Sequence, residues 1–247
     1  MFAVLAGASL IGISIGLVGI GGIFLIPLLV WSGLSLESSI GTSLLTFTIV
    51  GIIATIAYAM HGAIDWRAAL LTSGGSLLSG AFGAKLSTML PDRIVTACFA
   101  AFLLLTGLFA LFGRKFTRTA SRPLTVTTLV LCGVVAGIGS GLTGVGGAAV
   151  LIPLLLLLGV SPAIAVAISQ PNSIFASASG AAGHIVFGHV DFHLAAYLAV
   201  FCGVGVVVGA IIYRRVSAEH LRMLVGIVVL CLGVWLIGKL LLAGEAL

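Results

Sequence analysis

Charged side chains are scarce in this chain. Only 7% of its 247 residues are Asp, Glu, Lys or Arg, whereas 61% are hydrophobic. A soluble domain carries roughly a quarter of its residues as charged ones, so this chain has too little polar surface to cover a globule in water. The scarcity argues against a soluble domain and, despite the net charge of +5, against a nucleic-acid partner.

Cysteine is also scarce, and its four residues are isolated from one another. Cys98, Cys132, Cys202 and Cys231 each lie alone in an apolar stretch, without a Cys-x-x-Cys or Cys/His cluster. Metal sites and disulfide frameworks show closer or paired spacings, so we expect small buried hydrophobes, no metal and no cofactor. A basic n-region is lacking before the first apolar run, which we expect to be a structural segment rather than a cleaved signal.

Long apolar runs dominate what is present. The mean hydropathy is +1.36, and the runs reach the length of about 20 residues that a transmembrane helix needs. The sequence therefore predicts an all-α polytopic membrane protein with four apolar segments in each half. The segments are about 2–32, 36–60, 67–90 and 94–112, then about 124–159, 162–187, 192–213 and 221–242.

One glycine-rich phrase occurs twice, as GLVGIGGIFLIP at 16–27 and as GLTGVGGAAVLIP at 141–153. Its glycines recur at a spacing of 125, and after a one-residue insertion the spacing becomes 126, as for Pro27 and Pro153. A register kept over this length indicates a tandem duplication. The predicted organisation is an N-terminal transmembrane repeat (1–113), a basic connector (114–123) and a C-terminal transmembrane repeat (124–247).

The first apolar segment of each half is too long to cross a bilayer as one straight helix. Its middle is rich in glycine, which disfavours a helix, so either one broken helix crosses or two half-helices form a hairpin that returns to the same side. With eight crossings, the Lys and Arg residues divide six against five; with hairpins and an inverted second half, they divide eight against three. Because basic residues concentrate on the cytoplasmic side, we expect an inverted repeat in the inner or plasma membrane, with connector 114–123 in the cytoplasm.

Interrupted helices at matching positions of two halves indicate the substrate site of a transporter. Glycine-rich turns expose backbone N–H groups, and helices that begin after the turn, near Ile23 and Ala148, add their positive dipole ends. The pattern favours a small anion bound between the two repeats. The candidate substrate-binding residues are Gly19, Gly21, Gly22, Thr42, Ser43, Thr143, Gly144, Gly146, Gly147, Ser169, Gln170 and Asn172.

Simpler explanations stay open for several of these residues. Glycines spaced four apart let helices approach closely, which is the better interpretation for Gly205 and Gly209. Gln170 and Asn172 are the best side-chain candidates for the anion, and interhelical hydrogen bonding is their alternative role. His184 lies deeper than the other histidines and is a candidate proton carrier.

Two short motifs imitate enzyme signatures. GISIG at 12–16 fits G-x-S-x-G, and GSGLTG at 139–144 fits G-x-G-x-x-G. Both signatures require a preceding strand in an α/β domain, and neither has one here. We therefore expect no enzymatic activity.

The duplicated GxxGxGG phrase with a proline after four or five intervening residues, IGTSLL at 40–45 and the two G-x-x-D-[WF] turns resemble the TauE/SafE family of sulfite and organosulfonate exporters. The resemblance covers essentially the whole chain. It implies a membrane permease that moves small sulfur oxyanions such as sulfite, sulfoacetate or thiosulfate, usually outward. The second half departs from the pattern, with Ala167-Ile168-Ser169 where the first half has Gly41-Thr42-Ser43, so the particular substrate stays open.

Together these features predict a secondary transporter that exports a small sulfur-containing anion by alternating access between two repeats. Its partners are the anion and the lipid bilayer, and a homo-oligomer is left open. Two alternatives remain at this stage. One is a passive anion channel, and the other is a non-transporting membrane protein that assists the assembly of another complex.

Overall fold

The computed structural model describes residues 2–60, 62–112, 124–213 and 218–242. Within these ranges the chain is helical and has no strand, which confirms the predicted all-helical class. The basic connector, His61, Arg214 and Arg215 lie outside the described residues. The helices are α1 (Phe2–Val18), a 3-10 turn (Gly21–Phe24), α2 (Leu25–Trp31), α3 (Leu36–Ala59), α4 (Trp66–Met89), α5 (Asp92–Phe112), α6 (Val126–Thr143), α7 (Gly147–Leu157), α8 (Pro162–Val186), α9 (Phe192–Tyr213) and α10 (Ala218–Leu242).

Several helices suit a lipid environment. By length and composition, three of them could cross a membrane: Leu36–Ala59, Val126–Thr143 and Phe192–Ile212. Large apolar side chains such as Leu78 and Val204 are exposed on the outer faces of the long helices. Extended apolar surface of this kind marks contact with a membrane or a partner, and it agrees with a multi-pass membrane protein.

Short polar residues set where the long helices begin. Ser35 caps α3 by accepting a hydrogen bond from the N–H of Ser38, and Asp65 caps α4 by accepting bonds from the first turn. Pro162 occupies the start of α8, where its missing N–H removes no intrahelical bond. These caps place the boundaries within a few residues of those predicted from the sequence.

Both glycine phrases interrupt the helix, and the chain then turns back on itself. Helix α6 ends at Gly144 with φ +71°, and α7 starts after Gly146 with φ +82°, conformations that cost glycine little. A Cβ built on Gly139 would lie 3.1 Å from Cγ1 of Val150, so α7 runs back along α6. We call α6 and α7 hairpin 2, and α1, the 3-10 turn and α2 hairpin 1; in hairpin 1, Gly7 lies beside Leu28.

The two halves of the chain interleave. Helix α4 packs against α6 and α8, α9 packs against α1 and α3, and α5 packs against α10. Glycines make the closest contacts: Gly12 of α1 meets the carbonyl of Cys202, and Gly133 of α6 meets the carbonyl of Thr72. Gly205 of α9 likewise meets the carbonyl of Ser9 on α1, which confirms the packing role expected for it.

Candidate functional site

A small cavity lies where the tips of both hairpins meet α3 and α8. Its volume of about 20 Å³ is enough for one water molecule and too small for an oxyanion of four or more heavy atoms. The cavity therefore has no room for such an anion in this conformation. Among its lining residues are Gly19, Gly22, Phe47, Val145, Gln170 and Ser173.

Backbone N–H groups at both hairpin tips are unused. The first N–H groups of any helix have no intrahelical acceptor. In hairpin 2, no hydrogen bond within the described part of the chain uses the N–H of Val145, Gly146 or Gly147. The equivalent N–H groups of Gly21 and Gly22 in hairpin 1 are likewise unused among the described residues. Two sets of N–H donors therefore flank a cavity whose lining contains no charged side chain.

Three of the predicted residues line this cavity together: Gly19, Gly22 and Gln170. The Gln170 side chain is only 1% exposed, and its Nε2 donates to the carbonyl of Val166 one turn earlier, at 3.1 Å. A Cβ built on Gly19 would lie 3.3 Å from that Nε2. Glycine at position 19 therefore lets the hairpin 1 tip approach the one amide side chain that faces it from α8.

Ser43 acts on the hairpin rather than on the cavity. Its Oγ lies 3.0 Å from the carbonyl oxygen of Gly144 and 3.0 Å from that of Ile40. Because Gly144 ends α6, the hydroxyl ties the break of hairpin 2 to α3. Ser43 is thus placed to fix the position of the hairpin tip.

Other predicted hydroxyls do not line the cavity and bond to backbone instead. Thr42 Oγ1 accepts from the N–H of Asp191 at 3.0 Å. Thr143 donates to the carbonyl of Gly139 at 2.6 Å, and Ser169 donates to that of Ala165 at 2.7 Å. Bonds of this kind are the ordinary way to satisfy a buried hydroxyl in an apolar interior.

Asn172 is fully buried beside the start of α7. Its Oδ1 lies 2.6 Å from Ser76 Oγ, which is also 2.7 Å from the carbonyl oxygen of Gly133. A hydroxyl has one proton, so the reversed amide, with Nδ2 donating to Ser76 and Ser76 donating to Gly133, satisfies both contacts. In either orientation one amide group is left without a partner, close to Gly147. Asn172 therefore braces the start of α7 from outside the cavity.

Phe47 on α3 and Ser173 on α8 are among the lining residues that the candidate set omitted. They are 126 residues apart, the spacing of the predicted repeat. The spacing of 126 could have identified them as equivalent positions. It did not suggest a binding site, because only one of the two side chains is polar. Gly21, Gly144, Gly146 and Gly147 shape the hairpin tips without lining the cavity.

His184 lies away from the cavity, in the last turn of α8. It is fully buried, and its Nε2 is 3.2 Å from the carbonyl oxygen of Gly141 on α6. Its other nitrogen, Nδ1, has no hydrogen-bond partner. The residue is therefore linked to hairpin 2 through the backbone and not to the cavity directly.

Comparison with known proteins gives relatives over the full length. The chain is 28% identical to "Probable membrane transporter protein YunE" of Bacillus subtilis, over 96% of this chain and 97% of that protein. It is 26% identical to "Probable membrane transporter protein MJ0441" of Methanocaldococcus jannaschii, over 92% of each. An Arabidopsis thaliana protein named "Sulfite exporter TauE/SafE family protein 1" is 30% identical over 43% of this chain and 23% of its own length.

No solved structure matches the chain significantly. The family model described as "Sulfite exporter TauE/SafE" matches residues 4–236, which include the tips of both hairpins and every residue that lines the cavity. The chain is accordingly a membrane transporter protein of the TauE/SafE sulfite exporter family.

Proposed function

We propose that this chain is a secondary transporter that exports a small sulfur-containing anion, bound between the tips of the two hairpins. The observation that carries the proposal is the pair of unused N–H sets beside an uncharged cavity. Backbone N–H groups and helix N-termini favour an anion without supplying a full positive charge. Gln170 and Ser173 are the lining side chains that could orient its oxygens.

We further propose that the two halves form an inverted repeat with re-entrant hairpins. If each first segment crossed the membrane, α3 and α8 would run in the same direction and α4 and α8 in opposite directions. Instead, Gly41 lies beside His189 and Gly51 beside Ile174, so α3 and α8 are antiparallel. Between α4 and α8, Gly80 lies beside Ala176, and further along both helices Ala84 lies beside Gly183. Helices α4 and α8 are therefore parallel. Both directions support the hairpin arrangement.

Transport in this proposal requires the hairpin tips to separate. Gly22 of hairpin 1 lies so close to hairpin 2 that a Cβ there would be 2.8 Å from the carbonyl oxygen of Val145. An anion can therefore bind only after the tips move apart, which suits alternating access rather than a permanently open channel. Because the halves interleave, each moving unit would contain helices from both halves. One unit would consist of α1, α2, α3 and α9, and the other of α4, α6, α7 and α8.

The test is anion flux in proteoliposomes that contain the purified protein. We expect saturable uptake of sulfite, competed by sulfoacetate or thiosulfate and driven by an imposed potential worth about 2.3 kcal/mol per charge at 100 mV. Gln170→Ala should weaken binding by about 10- to 100-fold, the value of one hydrogen bond to a charged group. Ser177→Ala is the matched control, since Ser177 is equally buried on α8 but does not line the cavity.

Exchange experiments separate the proposal from a channel. Preloaded unlabelled anion should accelerate the entry of labelled anion, because a carrier with bound anion reorients across the membrane faster than an empty carrier does. Flux that rises linearly with concentration and shows no such exchange would indicate a passive channel. Folded protein that moves none of these anions would remove sulfur oxyanions as substrates and favour the non-transporting alternative.

A further inference from the structure

Four groups form a line from the protein surface to hairpin 2. Glu37, at the start of α3, has its Oε2 3.1 Å from Nε2 of His189, in the loop between α8 and α9. The ring of His189 lies 6.5 Å, centre to centre, from the ring of His184. His184 Nε2 is in turn 3.2 Å from the carbonyl oxygen of Gly141. The line leads from a half-exposed carboxylate to a fully buried imidazole.

Each imidazole in this line has one engaged nitrogen and one unused nitrogen. The Nε2 atoms are engaged, by Glu37 and by Gly141, while both Nδ1 atoms are buried without a partner in the described structure. A separation of 6.5 Å between the ring centres is too long for a direct hydrogen bond between ring nitrogens, so a proton that passes between the rings needs a bridging water. The unpartnered Nδ1 of the fully buried His184 is a vacant acceptor, and a proton is a ligand that a vacant imidazole nitrogen can take.

Burial by itself disfavours a charged imidazole at His184, and two helix C-termini beside the ring offset part of that cost. Gly141 is near the end of α6, and the break after Thr143 leaves its carbonyl without the N–H that a continuing helix would provide. His184 itself lies in the last turn of α8. The C-termini of two helices therefore meet at this ring, and a helix C-terminus stabilises a cation.

Few other ionisable groups surround the ring. Glu37 faces it from α3, and His189 faces it from the loop before α9. Helix α6 contributes the Gly141 carbonyl, and α4 packs there through Ala81 and Ala84 beside Gly183. The neighbouring Lys85 of α4 is exposed, as are Asp191 and His193. Glu37 is therefore the acidic group best placed to supply a proton.

We propose that Glu37, His189 and His184 form a proton-binding route that couples proton uptake to the movement of hairpin 2. The inference rests on the proposed function, because the hairpin is the element that would move. A proton taken by Glu37 from water passes to His189 Nε2, and His189 releases its Nδ1 proton through one water to His184 Nδ1. His184 becomes an imidazolium that still donates from Nε2 to Gly141. His189 is left with its proton on Nε2, facing the Glu37 carboxylate, and a half-turn of the ring about Cβ–Cγ presents a protonated nitrogen to His184 again.

Protonation of His184 strengthens its hold on hairpin 2. A charged donor makes a stronger hydrogen bond to a carbonyl than a neutral one does. The Gly141 carbonyl belongs to the leg of hairpin 2 that ends at the cavity, so the proton biases the position of the tip. Proton release would free this leg to move, which links the proton to the anion site without direct contact between them.

The route is tested by flux driven by a pH gradient, with thiosulfate as the probe because it stays fully ionised and carries no proton of its own. We expect a gradient to drive accumulation in the wild type and in His193→Gln, a matched exposed histidine outside the route. Glu37→Gln, His189→Gln and His184→Gln should each reduce the gradient-driven accumulation at least tenfold. An equal response of His184→Gln and the wild type would overturn the proposal.

A second readout needs no substrate. In 15N-histidine-labelled protein, with His184 assigned from the His184→Gln variant, Nδ1 should gain a proton as the pH is lowered. Glu37→Gln should shift that titration, whereas His193→Gln should not. A His184 ring that stays neutral throughout would overturn the inference. Anion exchange without a pH gradient, measured in parallel, tests transport independently of proton coupling. Loss of this exchange in the wild type would contradict the proposed function, whereas normal exchange without gradient-driven accumulation would contradict only the proton route.

Discussion

At the scale of single residues, the glycines divide into those that face a backbone and those that face open space. Gly133 on α6 meets the carbonyl of Thr72 on α4, so a side chain there would force the two helices apart. Gly74, at a similar depth along α4, has no atom within 4 Å of the Cβ position. Residue identity alone does not distinguish them, but their neighbours do.

This difference predicts opposite effects of one substitution. Gly133→Ala should lower the free energy of unfolding by about 1–3 kcal/mol, since overpacking at a helix contact displaces backbone. Gly74→Ala should leave it unchanged or raise it by up to about 1 kcal/mol, the helix propensity gained over glycine. Thermal unfolding of the purified variants checks the pair. Equal midpoints would contradict the close α4–α6 contact.

At the scale of elements, hairpin 2 depends on α3 for its position. The Ser43 hydroxyl reaches the carbonyl of Gly144 across 3.0 Å, and the residues that follow Gly144 carry the unused N–H groups. A shift of the tip would misplace those groups relative to the anion. The bond between α3 and the break is therefore a determinant of affinity in the proposed mechanism.

Ser43→Ala should weaken anion binding about fivefold, corresponding to one neutral hydrogen bond of about 1 kcal/mol. Thr48→Ala is the control, because the Thr48 hydroxyl bonds only within α3, to the carbonyl of Leu44 at 3.0 Å. The measurement is the half-saturating concentration of thiosulfate in exchange assays. A larger loss in Thr48→Ala than in Ser43→Ala would show that α3 stability, not the tie to hairpin 2, sets affinity.

The elements were more predictable from the sequence than the site. Helix boundaries followed from the lengths of the apolar segments, and the breaks followed from glycine and length. The cavity walls did not follow, because a serine in a helix can turn its hydroxyl to its own backbone, as Ser169 does. Whether a buried hydroxyl serves a ligand or a carbonyl depends on neighbours that only the packing brings together.

At the scale of the whole molecule, the interleaving of the halves was not predictable from the repeat. The predicted duplication indicates which helices of the two halves are equivalent. It does not indicate whether a helix packs within its own half or against the other half. Small residues decide that here, because Gly12 and Gly205 let α1 and α9 touch backbone to backbone. The same contact makes each half incomplete without the other, so we expect neither half to fold alone.

Membrane topology gives the remaining prediction, measured by labelling of single cysteines in a cysteine-free background. Ser35 and Ser161 are exposed in the loops that follow hairpins 1 and 2. With re-entrant hairpins, Ser161→Cys should react from the same side as Ser121→Cys in the basic connector, and Ser35→Cys from the opposite side. With eight crossings, the cysteines at 35 and 161 would both react from the side opposite the connector. Labelling of position 161 from that opposite side would therefore exclude the inverted repeat and, with it, two hairpin tips that meet at one anion site.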